Sequence, residues 1–235
     1  MRDLEIVESV ALARRVGLAW LATLLVGIVS TVLLGQGIDI NLSADVEAVA
    51  VAMLDAEKRL RALAYVALLM LALDLLVSLG LFLVLRSSGP LLAAWSLVAR
   101  IVAGLLSVLG AVFMMNSAEI ASRPAYTVLA DHADRLLLNG LQATSNYTSF
   151  HLSIVLSSAA LAGFFWLFLK SGRIPRLIAG WGLFASLFVA CTIVLRDFIP
   201  ALGHIAITMA FMLSNLIALF STSLYLTIKG VRVRV

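Results

Sequence analysis

Six apolar runs dominate this chain of 235 residues, at positions 16–34, 62–85, 91–115, 149–169, 177–195 and 205–228. Each is close to or above the roughly 20 residues needed to cross a hydrocarbon core about 30 Å thick. A β-barrel strand would be about ten residues long and would alternate apolar with polar. These runs are unbroken, and a solitary segment in lipid satisfies its own backbone polar groups only as a helix. Composition agrees, with 63% hydrophobic and 13% charged residues against about 45–50% and about 25% in soluble domains. Four Pro and a single Cys, Cys191, exclude a disulfide-built domain and a Cys-rich metal module. The expected fold is all-α, an integral membrane bundle of six transmembrane helices forming one domain over 1–235, with two amphipathic helices on its outer side.

Tight connections join runs two to three (Arg86-Ser87-Ser88-Gly89-Pro90) and four to five (Lys170-Ser171-Gly172-Arg173-Ile174-Pro175-Arg176). The amino terminus is too charged, and the run after it too long, for a cleaved secretory signal, so the first run reads as an uncleaved span. Leu4, Val7 and Ala11 precede it at helical spacing and suggest a short interfacial helix. With the amino terminus inside, cytoplasmic segments hold ten Lys and Arg and the opposite side six, spread over longer loops with nine of the thirteen acids. The positive-inside bias therefore places both termini in the cytoplasm. Trp20, Trp95, Trp166 and Trp181 each lie four or five residues from a basic connection, which puts all four near one headgroup layer. The net charge of +4 is this asymmetry and gives no reason to invoke nucleic acid.

Residues 91–97 (LLAAWSL) and 177–183 (LIAGWGL) align position by position, each after a basic turn containing Pro. A duplicated two-helix hairpin explains this, and so does repeated use of a convenient turn. The alignment extends along one helical face, Ser96, Arg100 and Gly104 matching Gly182, Ser186 and Ala190. Small residues at such spacing let helices approach closely.

Two charges interrupt the apolar runs. Asp74 lies twelve residues before Arg86 and Arg100 ten after Pro90, so on antiparallel helices they reach nearly the same depth. Each alone costs about 2.5–3.5 kcal/mol at a helix centre on an insertion scale, which predicts an Asp74–Arg100 ion pair with Ser78 as a nearby donor. Such a pair either sets helix register or serves a proton or ion site, and no further acid or His stands near its depth to continue a relay, His151 lying at the outer end of run four. On run six, Thr208, Asn215 and Thr222 recur at sevens and suit either a polar pathway or helix contacts.

Other motifs carry less. Residues 180–185 (GWGLFA) match the G-x-G-x-x-A string, but that fingerprint works only between a strand and a helix. Asp131, His132 and Asp134 cluster without a dedicated metal spacing, and no metal site is assigned. His151 and His204 are weak candidates for axial cofactor ligands, and the cofactor is otherwise unknown. Asn41 and Asn146 head sequons by pattern. Outside the runs, Val46, Val49, Ala50, Met53 and Leu54 oppose Glu47, Asp55 and Lys58, and the segment from Tyr126 to Leu141 repeats the pattern.

Asp74 inside run two, Arg100 soon after the next turn and the run Leu169-Lys170-Ser171-Gly172-Arg173-Ile174-Pro175-Arg176 resemble a bacterial multi-pass membrane family catalogued as domain of unknown function 4386, over roughly residues 62–183. Members often carry an acid shortly after the Arg, where this chain has Ile101-Val102-Ala103. The resemblance implies a six-span protein of a bacterial inner (plasma) membrane and supplies no catalytic residue. No nucleophile with a nearby base is evident. The expectation is a non-enzymatic accessory or structural membrane subunit or a small-ligand-binding bundle, partnered by the lipid bilayer and by other membrane subunits or copies of itself. The alternative is a small-solute or proton-coupled transporter using Asp74 and Arg100.

Overall fold

A computed structural model describes residues 2–38 and 45–232, with side chains from position 8 onward. Leu4, Val7, Asn41 and Arg234 therefore lie outside the described side chains. The described residues form eight α-helices and no strand: α1 (Arg2–Ser30), α2 (Val46–Leu54), α3 (Glu57–Leu85), α4 (Pro90–Ser122), α5 (Pro124–Leu129), α6 (His132–Ser171), α7 (Arg176–Arg196) and α8 (Ile205–Lys229). Six of them, all but α2 and α5, are long and apolar enough to cross a membrane.

The helices outrun the apolar runs because nothing local stops them. α1 continues unbroken from Arg2, so the interfacial segment expected before the first span is part of the same helix. α6 is 40 residues long, about 60 Å at about 1.5 Å per residue, twice what a hydrocarbon core requires. The second amphipathic segment accordingly divides: α5 starts on Pro124 and ends at an extended Ala130, and the remainder forms the first turns of α6. Asp131 starts that helix, its Oδ1 accepting from Asp134 N at 2.8 Å. This N-cap is the work of the Asp131, His132 and Asp134 cluster. α2 is capped likewise by Asp45, whose side chain accepts from Ala48 N.

The chain divides into two compact units, one of residues 1–24, 73–104 and 154–235, the other of residues 25–72 and 105–153. In the first, Phe164, Phe165 and Phe168 of α6 are wholly buried among Val16 and Trp20 of α1, Val77 and Leu81 of α3 and Leu226 of α8. Trp20 is 3% exposed, with its ring 6.4 Å from that of Phe165, so it belongs to the core and not to a headgroup belt. Burial of its large apolar ring outweighs the interfacial preference of indole. Trp95, Trp166 and Trp181 are exposed.

The connection after α6 shows why its sequence is so particular. Gly172 adopts φ +66° and its N–H returns to Phe168 O at 2.9 Å, ending the helix in a left-handed residue that glycine accepts without strain. Ile174 is buried and Pro175 precedes the first residue of α7. Arg173 donates through Nη1 to Val84 O and through Nη2 to Ser87 Oγ at 2.8 Å, which satisfies a carbonyl left open at the end of α3. Burial holds the Arg173 guanidinium below its ordinary pKa.

In the second unit, Val49 and Met53 of α2 pack on Leu60 of α3, Ala118 of α4 and Ala143 of α6. Arg135 of α6 donates to Ile120 O at 3.3 Å and Ala121 O at 2.8 Å, capping α4 as Arg173 caps α3. Asn146 is 6% exposed and packs against Gly110; buried within a helix, it is not available as a glycosylation acceptor.

Gly182 explains the GWG string in packing terms, since a Cβ there would collide with three ring carbons of the buried Phe165, whereas one on Gly180 meets nothing within 4 Å. Gly182→Ala should destabilise the protein by about 1–3 kcal/mol through overpacking. Gly180→Ala should be neutral or stabilising by up to about 1 kcal/mol. Thermal unfolding of the two variants in detergent reads the difference.

Candidate functional site

Asp74 and Ser78 lie one turn apart on α3, so helical geometry presents both on one side. Arg100 of α4 reaches them: Nη2 lies 2.6 Å from Asp74 Oδ1 and Nε donates to Ser78 Oγ at 3.3 Å. The third nitrogen, Nη1, donates to Ser157 Oγ of α6. The guanidinium thus joins α3, α4 and α6 within the first unit, and each of its nitrogens has an acceptor. Ser78, expected as a donor beside the acid, instead turns its oxygen toward Arg100. Arginine carries donors only, so a hydroxyl within reach of it serves as acceptor.

The two partners differ in exposure. The Arg100 side chain is 10% exposed and that of Asp74 30%. Asp74 Oδ2 carries no hydrogen bond among the described residues, so only one carboxylate oxygen is engaged by the arginine. Ser157 was not legible as part of the site, although two adjacent serines, Ser157 and Ser158, inside an apolar run were a signal. An intramembrane arginine has more donors than one acid can take, and the nearest hydroxyls on neighbouring runs are the natural supply.

The other sequence candidates stay apart from this centre. On α8, Thr222 is fully buried and its hydroxyl donates to Ala218 O of its own helix at 2.7 Å, while Thr208 and Asn215 are partly buried. His204 caps α8, its Nδ1 accepting from Ala206 N at 3.2 Å. The His151 ring is tilted against that of Tyr147, with centroids 3.8 Å apart, and its Nδ1 meets Tyr147 O at 2.8 Å. Among the described residues no three His, Cys, Asp or Glu side chains gather as a possible metal site. The matched stripes on α4 and α7 are largely inward, with Ser96, Gly104, Gly182 and Ser186 buried. Ser96 and Ser186 hydroxyls have no hydrogen-bond partner among the described residues.

A second polar centre lies in the other unit, in stretches outside the six apolar runs, where the sequence pointed to amphipathic helices but to no ion-pair network. Arg61 of α3 bridges Glu57 (Nε to Oε1, 3.0 Å) and Glu119 of α4 (Nη2 to Oε1, 2.8 Å). Glu119 Oε2 also has Arg123 Nη1 at 3.4 Å. Beside it a cavity of about 300 Å³ is walled by Asn116 and Glu119 of α4, Arg123 between α4 and α5, Tyr126 of α5, and Leu138 and Gln142 of α6.

Compared with known proteins, the chain matches the family model described as "Domain of unknown function (DUF4386)" over residues 16–230. It belongs to this family. The match encloses all six apolar runs, well beyond the 62–183 on which the sequence resemblance rested. No curated protein and no solved structure matches the chain. In this DUF4386 chain the two most recognisable elements, the Asp74–Arg100 pair and the 169–176 connection, both bind one helix to another: Arg100 ties three, and Arg173 caps α3.

Removing one partner of a buried pair costs about 3–5 kcal/mol, and the partial exposure of Asp74 places Arg100→Leu near the lower end, about 3 kcal/mol. Ser78→Ala and Ser157→Ala should each cost about 1 kcal/mol, the net worth of a hydrogen bond. In a thermodynamic cycle Ser157→Ala should lose its effect in the Arg100→Leu background. Additive effects would exclude the three-helix tie.

Proposed function

We propose that the protein is a non-enzymatic multi-pass protein of a bacterial inner membrane, an accessory or structural subunit or a small-ligand-binding bundle, with Arg100 as its internal tie. The observation that carries this reading is the engagement of every nitrogen of Arg100 from within the protein, Ser78 on Nε, Ser157 on Nη1 and Asp74 on Nη2. An arginine that recognises an anionic solute must present its planar fork to that solute, and here the fork is occupied from within. Lipid, further membrane subunits or a second copy of the chain are its partners in this reading.

A second reading, proton-coupled or small-solute transport, draws on the open Oδ2 and 30% exposure of Asp74. Proteoliposomes under an imposed pH gradient decide between the two. The structural reading expects no proton or solute flux above protein-free vesicles, with Asp74→Asn and Asp74→Leu altering only stability. Flux abolished by Asp74→Asn in a folded protein would replace it with transport.

Both termini belong in the cytoplasm on this proposal, supported by the ten-to-six distribution of Lys and Arg. Because Cys191 is the only cysteine, a Cys191→Ser background accepts single reporter cysteines. A membrane-impermeant maleimide on intact cells should label Ala130→Cys and spare Ser88→Cys and Ser171→Cys. The reverse pattern would invert the topology.

A further inference from the structure

The cavity between α4, α5 and α6 has a charge arrangement that specifies its occupant. Glu119 is held in place from behind, because Oε1 takes Arg61 and Arg61 is braced by Glu57. Oε2 is held only loosely: Arg123 stands 3.4 Å away and is 63% exposed, whereas a well-formed charge-assisted bond is about 2.7–2.9 Å. Asn116 Nδ2 donates to Gln142 Oε1 at 3.2 Å, which leaves the Asn116 oxygen as an acceptor and the Gln142 amide nitrogen as a donor. The Tyr126 hydroxyl adds a group that can donate or accept. The volume of about 300 Å³ is at the lower end of small-molecule sites.

We propose that this cavity binds a zwitterion with a primary ammonium and an anionic oxygen group a few atoms apart. The ammonium takes Glu119 Oε2, and Arg123 swings from its long contact to the anionic oxygens, joined by Tyr126 and Gln142. A singly charged ligand would satisfy one of these side chains and face the other at like-charge cost. The group belongs either to a free small molecule or to an aminophospholipid headgroup. Exposed apolar side chains lie at the end of the same helix as Tyr126, Val128 at 82% and Leu129 at 85%, and supply a surface on which acyl chains can lie. The proposal deepens the ligand-binding side of the reading above and rests on it, yet uses no residue of the Arg100 tie, so each fails separately.

The test uses the full chain with two probes. Calorimetry in detergent compares O-phosphoethanolamine with inorganic phosphate and with ethylamine. Native mass spectrometry of protein from mixed vesicles compares retained phosphatidylethanolamine with phosphatidylglycerol. A free-ligand site binds phosphoethanolamine at least about tenfold more tightly than either single-charge control, and a headgroup site retains phosphatidylethanolamine by a similar margin. In either case Arg123→Gln, at an exposed position that does not threaten the fold, and Glu119→Gln should each remove about tenfold in affinity, with Ser157→Ala unchanged. Absence of a zwitterion preference in both arms overturns the proposal, as does a preference that survives Arg123→Gln.

Discussion

Helices that are apolar on every side gain little by burying one another in an apolar medium, so directed hydrogen bonds and close approach must hold them together. Arg100 is the clearest instance here. A guanidinium inside an apolar stretch is tolerable only when its donors are met, and meeting them requires side chains from two other helices. The penalty for leaving the cation unmet becomes the force that fixes α3, α4 and α6 in register.

Arginine has a second use at the ends of helices. The last carbonyls of a helix lack intrahelical partners and carry the negative end of its dipole. Arg173 answers those of α3 and Arg135 those of α4, each from a different helix or connection. Basic residues that look like topology signals thereby also join one element to the next. Arg61 does the same between α3 and α4 through Glu119, and in holding that carboxylate it shapes the wall of the adjacent cavity.

Much of the fold was legible because length and apolarity alone decide whether a segment spans. The pairing of Asp74 with Arg100 was legible for a similar reason, since a tight turn and a constant rise per residue set their depths. The side-chain partners beyond that pair were not. Amphipathic periodicity reports which face of a helix is buried only when the other face meets water, and on these helices both faces are apolar. Trp20 in the core, Asn146 buried in its helix and Ser157 on the guanidinium all depend on rotation about a helix axis, for which the pattern held no signal.

The sequence by itself determined the class of protein, the six helices, the chemistry of their connections and the depth at which the two intramembrane charges meet, because each follows from composition and spacing along one chain. Only the tertiary structure decided that all three nitrogens of Arg100 are taken and that Gly182 makes room for Phe165. It also decided that Glu119 and Arg123 share a cavity with Tyr126 and Gln142. Those facts depend on which helix faces which, and that is settled by packing between segments distant in sequence.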